Sequence, residues 1–177
     1  MGEGPVAFVV RPDEGTHLRG PAGGPSVIKA RAETTGGVFA FLQVGVGPGQ
    51  GPPEHVHANE DEMWFVHLGD FRFLTDGRLL DAPEKSFVFV PRGTSHCFQN
   101  VTDEPGEALV MFTPGGMERF FELHAALPAG PADPAAYDAI AAACAMTVTG
   151  PPLGIRPPGW EATRTNGPGT STPLTPR

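Results

Sequence analysis

The sequence predicts an all-β chain folded as an antiparallel sandwich or barrel. Two observations carry this. Short apolar runs rich in β-branched and aromatic residues recur from residue 6 to residue 113, and glycine, proline or Asp-Gly turns separate them. A turn about every 8–12 residues leaves no room for crossover helices, so a parallel sheet is excluded.

In chain order, residues 6–10 (VAFVV) read as a first strand, and residues 12–24 dissolve into turn chemistry. Residues 27–33 alternate loosely and residues 38–46 (VFAFLQVGV) form a longer strand, so residues 1–37 supply strands and turns that join the barrel. After the GPGQGPP turn come EHVH and then residues 62–68 and 71–74, which flank Gly69-Asp70 and suggest a hairpin. Asp76-Gly77 marks the next turn before residues 78–81. Residues 86–90 (SFVFV), 96–101 and 107–113 complete the series, which places the barrel core at residues 38–113. Beyond Pro114-Gly115-Gly116 the period changes. Met117, Phe120, Phe121 and Leu123 fall on helical spacing, and Asp133-Pro134 is a helix start, so residues 114–149 predict two amphipathic helices packed outside the barrel. Residues 150–177 are proline- and glycine-rich and are expected to be an extended or disordered tail, with Trp160 able to anchor it.

Composition narrows the function. The chain has 177 residues, enough for one domain with a buried core, and carries 12 basic against 20 acidic side chains. With no cluster of Lys and Arg it lacks the footprint that nucleic acid requires, and no apolar run reaches membrane-spanning length. Cys97 and Cys144 belong to no CxxC pattern, and the N-terminus lacks a charged-then-apolar leader pattern. A cytoplasmic protein acting on a small molecule is expected.

The chemistry concentrates in residues 49–69, GQGPPEHVHANEDEMWFVHLG. In a strand, residues i and i+2 share a face, so His55 and His57 converge on one point, with Glu62 five residues further on. His96, in PRGTSHCFQN, is the natural fourth partner. Three imidazoles and one carboxylate suit a divalent transition metal (Fe, Mn, Ni, Co, Cu or Zn), not calcium or magnesium.

The spacings Gly49-x5-His55-x-His57-x4-Glu62-x6-Gly69 and Pro91-x-Gly93-x2-His96-x3-Asn100 resemble the two signature motifs of the cupin superfamily. One departure is Lys85, where that family usually has a glycine. The resemblance implies a jelly-roll barrel around one metal held by His55, His57, Glu62 and His96. Alternation then turns Trp64 and Val66 inward with Glu62, and Phe98 and Asn100 inward with His96, while Met63, Phe65, His67 and Cys97 face away. Trp64, Phe98 and Asn100 are the expected substrate contacts. Glu54 and the Glu60-Asp61 pair are expected to face solvent, and His17, His67 and His124 to be surface or packing residues.

The continuation FTPGGMERFF is similar to that of the small quercetin-dioxygenase-like cupins. This likeness implies an oxygenase that acts with dioxygen on an aromatic or enolisable metabolite, with Glu62 also able to accept a substrate proton. A cupin cyclase or isomerase, and a non-catalytic small-molecule-binding cupin, are the alternatives. Long strands with few edge charges further predict a homodimer.

Overall fold

The structure, a computed structural model, describes residues 4–130, 133–155 and 163–164. Two sheets face each other. The first has six strands in the order β1-β2-β3-β10-β5-β8, from β1 (Thr16–Arg19), β2 (Gly23–Ala30), β3 (Ala40–Val46), β5 (Asp61–Leu68), β8 (Phe87–Val90) and β10 (Gly106–Thr113). The second runs β11-β4-β9-β6-β7-β12, from β4 (Glu54–His57), β6 (Phe71–Thr75), β7 (Arg78–Ala82), β9 (His96–Asn100), β11 (Met146–Gly150) and β12 (Thr163–Arg164). All pairings are antiparallel except β12 on β7. This is the expected all-β jelly roll, and its interior is filled by alternate residues such as Leu42, Val44, Val66, Phe73, Val110 and Phe112.

Four expectations change. Residues 6–10 form no strand: both edges of β3 are taken by β2 and β10, so this run crosses the sheet's outer face beside Phe39, Phe41 and Leu109. Lys29 ties it down, its Nζ donating to the carbonyls of Arg11, Pro12 and Glu14. Gly69-Asp70 does not close a hairpin. Strand β5 pairs with β10 and β8 while β6 pairs with β7 and β9, so this turn carries the chain from one sheet to the other. The hairpin in this region is β6–β7, closed by Asp76 and Gly77, both at positive φ (45° and 75°), the left-handed pair a tight hairpin requires. The third change is a helical turn, α1 (Ala32–Thr35), which takes the last two residues of the run 27–33 expected to alternate, while residues 27–30 belong to β2.

Two longer helices follow β10, α2 (Glu118–Ala125) and α3 (Pro134–Ala143), packed outside the barrel. The second stops earlier than its alanine-rich sequence suggests. Ala145 adopts φ 54°, ending the helix, and the β-branched run Thr147-Val148-Thr149 becomes part of β11. Strand β11 is the fourth change, since the sequence placed these residues with the helices. It pairs with β4, setting Val148 opposite His55 and Met146 opposite His57. Trp160 lies outside the described residues, as do 156–162 and 165–177. Among the described residues no helix is long and apolar enough to cross a membrane.

Lys85, where the resemblance departs from its family pattern, keeps a glycine-like backbone at φ 70°. Its Nζ donates to the His67 carbonyl at 3.0 Å. The turn survives the missing glycine.

Candidate metal centre

Strands from both sheets deliver the four expected ligands to the same place. His55 and His57 come from β4, Glu62 from β5 and His96 from β9, where His96 sits directly across the ladder from His55. All four are buried, and one ligand atom from each lies within 4.8 Å of the others. Behind β9, Gly51 lets the preceding loop approach, because a Cβ there would run into the Phe98 carbonyl.

Imidazole orientation is set from behind. His55 Nδ1–H donates to the Pro53 carbonyl (2.8 Å) and His96 Nδ1–H to the Thr94 carbonyl (3.0 Å), which turns both Nε2 lone pairs toward the centre. There, His55 Nε2 lies 3.2 Å from His57 Nε2, His57 Nε2 lies 3.5 Å from Glu62 Oε2, and His96 Nε2 lies 2.7 Å from Glu62 Oε2. Two donors at about 2.1 Å from one ion and at right angles are about 3.0 Å apart, so this spacing fits neighbouring ligands of a single divalent cation. Burial, reinforced by His96 and His57, pushes the His55 pKa down to about 3, which keeps it a neutral ligand. Burial alone would raise the Glu62 pKa, but hydrogen bonds from His57 and His96 hold it well below the usual carboxylate range. Burial opposes charge on His96, yet its contact with Glu62 raises its pKa. The cluster thus shares protons that a divalent cation displaces on binding. His57 Nδ1 and the Trp64 indole N–H are buried without a partner among the described residues.

A cavity of about 40 Å³ adjoins the ligands. Trp64 and Phe98 wall it as the alternation predicted, with ring centroids 4.4 Å apart. Asn100 does not line it. Its amide donates to the Val46 and Glu104 carbonyls and accepts from Thr102 N–H and O–H, so it braces the 101–105 loop. Glu60 also departs from expectation: it is 6% exposed, and burial raises its pKa beside His57. Asp61 forms a paired contact with Arg92, and Glu54 accepts a hydrogen bond from Ser95 Oγ. His124, expected at the surface or in packing, is buried at 5% exposure, whereas His67 is exposed.

The rest of the wall was not anticipated. Met117, Phe120 and Phe121 of the α2 segment, Tyr137 of α3 and Met146 of β11 close the barrel mouth. The i, i+3, i+4 spacing of Met117, Phe120 and Phe121 showed a buried stripe but not what it covers. Tyr137 stands in an alanine-rich run with no such signal. Burial, then the charges of Asp138 and Glu62, raise its pKa above the usual tyrosine value.

The double sheet around a buried His/His/Glu/His cluster has the jelly-roll architecture of a cupin fold. Consistently, residues 42–112 match the family model of the cupin domain. Among solved structures, a predicted oxalate decarboxylase from Thermotoga maritima is 23% identical, covering 60% of this chain and 99% of its own, with a TM-score of 0.55. KdgF from Halomonas sp. is 16% identical over 64% of this chain and 98% of its own, with a TM-score of 0.57. The polyketide cyclase RemF from Streptomyces resistomycificus is 20% identical over 61% and 80%, with a TM-score of 0.52. At these identities the likeness is one of fold. No curated protein matches the sequence.

Proposed function

We propose that the chain is a metal-dependent cupin oxygenase acting on an aromatic or enolisable small molecule. The observation that carries this reading is a four-ligand set, His55, His57, Glu62 and His96, opening into a cavity whose other walls are almost all apolar. Four ligands leave positions on a six-coordinate ion for a bidentate substrate, or for substrate and dioxygen. The ion supplies Lewis acidity, lowering the pKa of a bound hydroxyl. Trp64 and Phe98 offer ring faces to a planar substrate, and the partnerless Trp64 N–H offers a donor to one of its oxygens. Glu62 accepts the substrate proton, and the α2–α3 cap excludes water.

His57→Ala and His96→Ala are each expected to lose bound metal, read by elemental analysis, together with oxygen uptake in a screen of enolisable and catecholic compounds. Retained turnover in either variant would refute the reading. Turnover with no oxygen consumed would favour the second reading, a cyclase or isomerase, which the partnerless Trp64 donor and the buried Tyr137 phenol also suit. A homodimer is supported by edge strand β8, whose Phe87 and Phe89 are 65% and 54% exposed. Light scattering should give twice the chain mass, and Phe87→Ser with Phe89→Ser should return the monomer.

A further inference from the structure

The cavity beside the ligands is small for the substrate just proposed. A cavity of about 10–15 Å³ holds one water and one of about 150 Å³ is needed for a benzene ring. At about 40 Å³ it admits dioxygen or a few waters, but no six-membered ring.

Outside it lies a groove of about 1090 Å³, bordered by the β1–β2 turn, Gln50, Pro53, the start of α3 and Val148. Two residues line both spaces, Pro21 and Tyr137. Pro21 is a turn residue with little freedom. Tyr137 is the movable member of the pair, a side chain on the first turns of a short helix, held edge-on by Phe120 with ring centroids 5.5 Å apart. The groove wall is largely proline, glycine and aliphatic side chains. Its cation is already committed: one guanidinium nitrogen of Arg19 donates to the His124 and Leu127 carbonyls, at 3.3 and 2.7 Å. Nothing there rewards a small polyanion, whereas the flat faces of Pro21, Pro25 and Pro53 suit a planar, uncharged ring system.

We propose that this groove is an outer binding site for a planar, neutral, ring-bearing substrate, and that Tyr137 is the gate its oxygen-bearing ring must displace to reach the metal ligands. The inference rests on the metal-dependent reading above. The ring waits against the prolines, Tyr137 swings aside, and the entering ring takes the space beside the ligands that the phenol has left.

The test uses copper(II)-loaded full-length protein at about pH 5.5, where 4-nitrocatechol is the neutral catechol, and two probes followed by stopped-flow absorbance, azide, which is small enough for the 40 Å³ cavity, and 4-nitrocatechol, which is not. Tyr137→Ala is expected to bind 4-nitrocatechol about tenfold faster than wild type, with azide rates unchanged and Tyr137→Phe resembling wild type, because bulk sets the gate. Gln50→Trp, an exposed position that narrows the groove, is expected to slow 4-nitrocatechol about tenfold and leave azide alone. Equal 4-nitrocatechol rates in wild type and Tyr137→Ala overturn the gate, and no effect of Gln50→Trp overturns the outer site. Should Tyr137→Ala fail to fold, Tyr137→Leu takes its place. Absence of any azide band from the copper-treated wild type overturns the metal reading itself, a result distinct from azide binding with a failed gate.

Discussion

Raising the pH of the folded protein is expected to leave Tyr137 protonated well past the point where an exposed phenol ionises. The side chain is 8% exposed, and burial, reinforced by the negative charges of Asp138 and Glu62, disfavours phenolate. A folded pKa above the unfolded value of 10.0 means that the stability this residue contributes is complete below pH 10 and is lost as pH rises above it. Each pH unit in that window removes about 1.4 kcal/mol, so about 2–3 kcal/mol is gone by about pH 12. The chain has one tyrosine, so the ultraviolet absorbance of phenolate reports this residue alone. Wild type should show no phenolate signal until circular dichroism shows unfolding, and Tyr137→Phe should lose the part of the alkaline slope that belongs to this group. A phenolate midpoint near pH 10 in protein that is still folded would refute the packing of α3 over the cavity.

Two further substitutions separate architecture from chemistry. Asn100→Ala removes four hydrogen bonds and is expected to cost about 2–4 kcal/mol in urea unfolding while bound metal stays at wild-type level; unchanged stability with weakened substrate binding would put Asn100 back in the site. Arg19→Ala unties the C-terminus of α2 and should cost about 1–2 kcal/mol and speed amide hydrogen exchange in residues 118–125, whereas unchanged exchange would show that Phe120 and Phe121 hold the helix unaided.

The cluster of His55, His57, Glu62 and His96 was legible because its signals are local. His55 and His57 share a strand face by period two, and the alternation that turned Trp64 and Phe98 inward is the same rule applied to β5 and β9. What escaped was set by partners distant in sequence. Gly69-Asp70 has the chemistry of a hairpin turn, and nothing local says that the next strand joins the opposite sheet. Residues 6–10 have strand composition but find β3 already paired on both edges. Residues 146–150 follow an alanine-rich helix so closely that only Cys144 and the left-handed Ala145 separate them. Glu60 looks like surface charge in NED until the fold buries it next to His57.

Strand β11 has a consequence for how the protein is made. Residues that line the cavity lie as far along the chain as Met146, and the strand beside His55 and His57 runs to Gly150. The two sheets can begin to pair once β10 exists, but the chamber around the ligands stays open until synthesis has passed that last strand. Until then His55, His57, Glu62 and His96 stay open to water and to competing ions. The order of the chain therefore delays closure of the chamber until residues 146–150 have emerged.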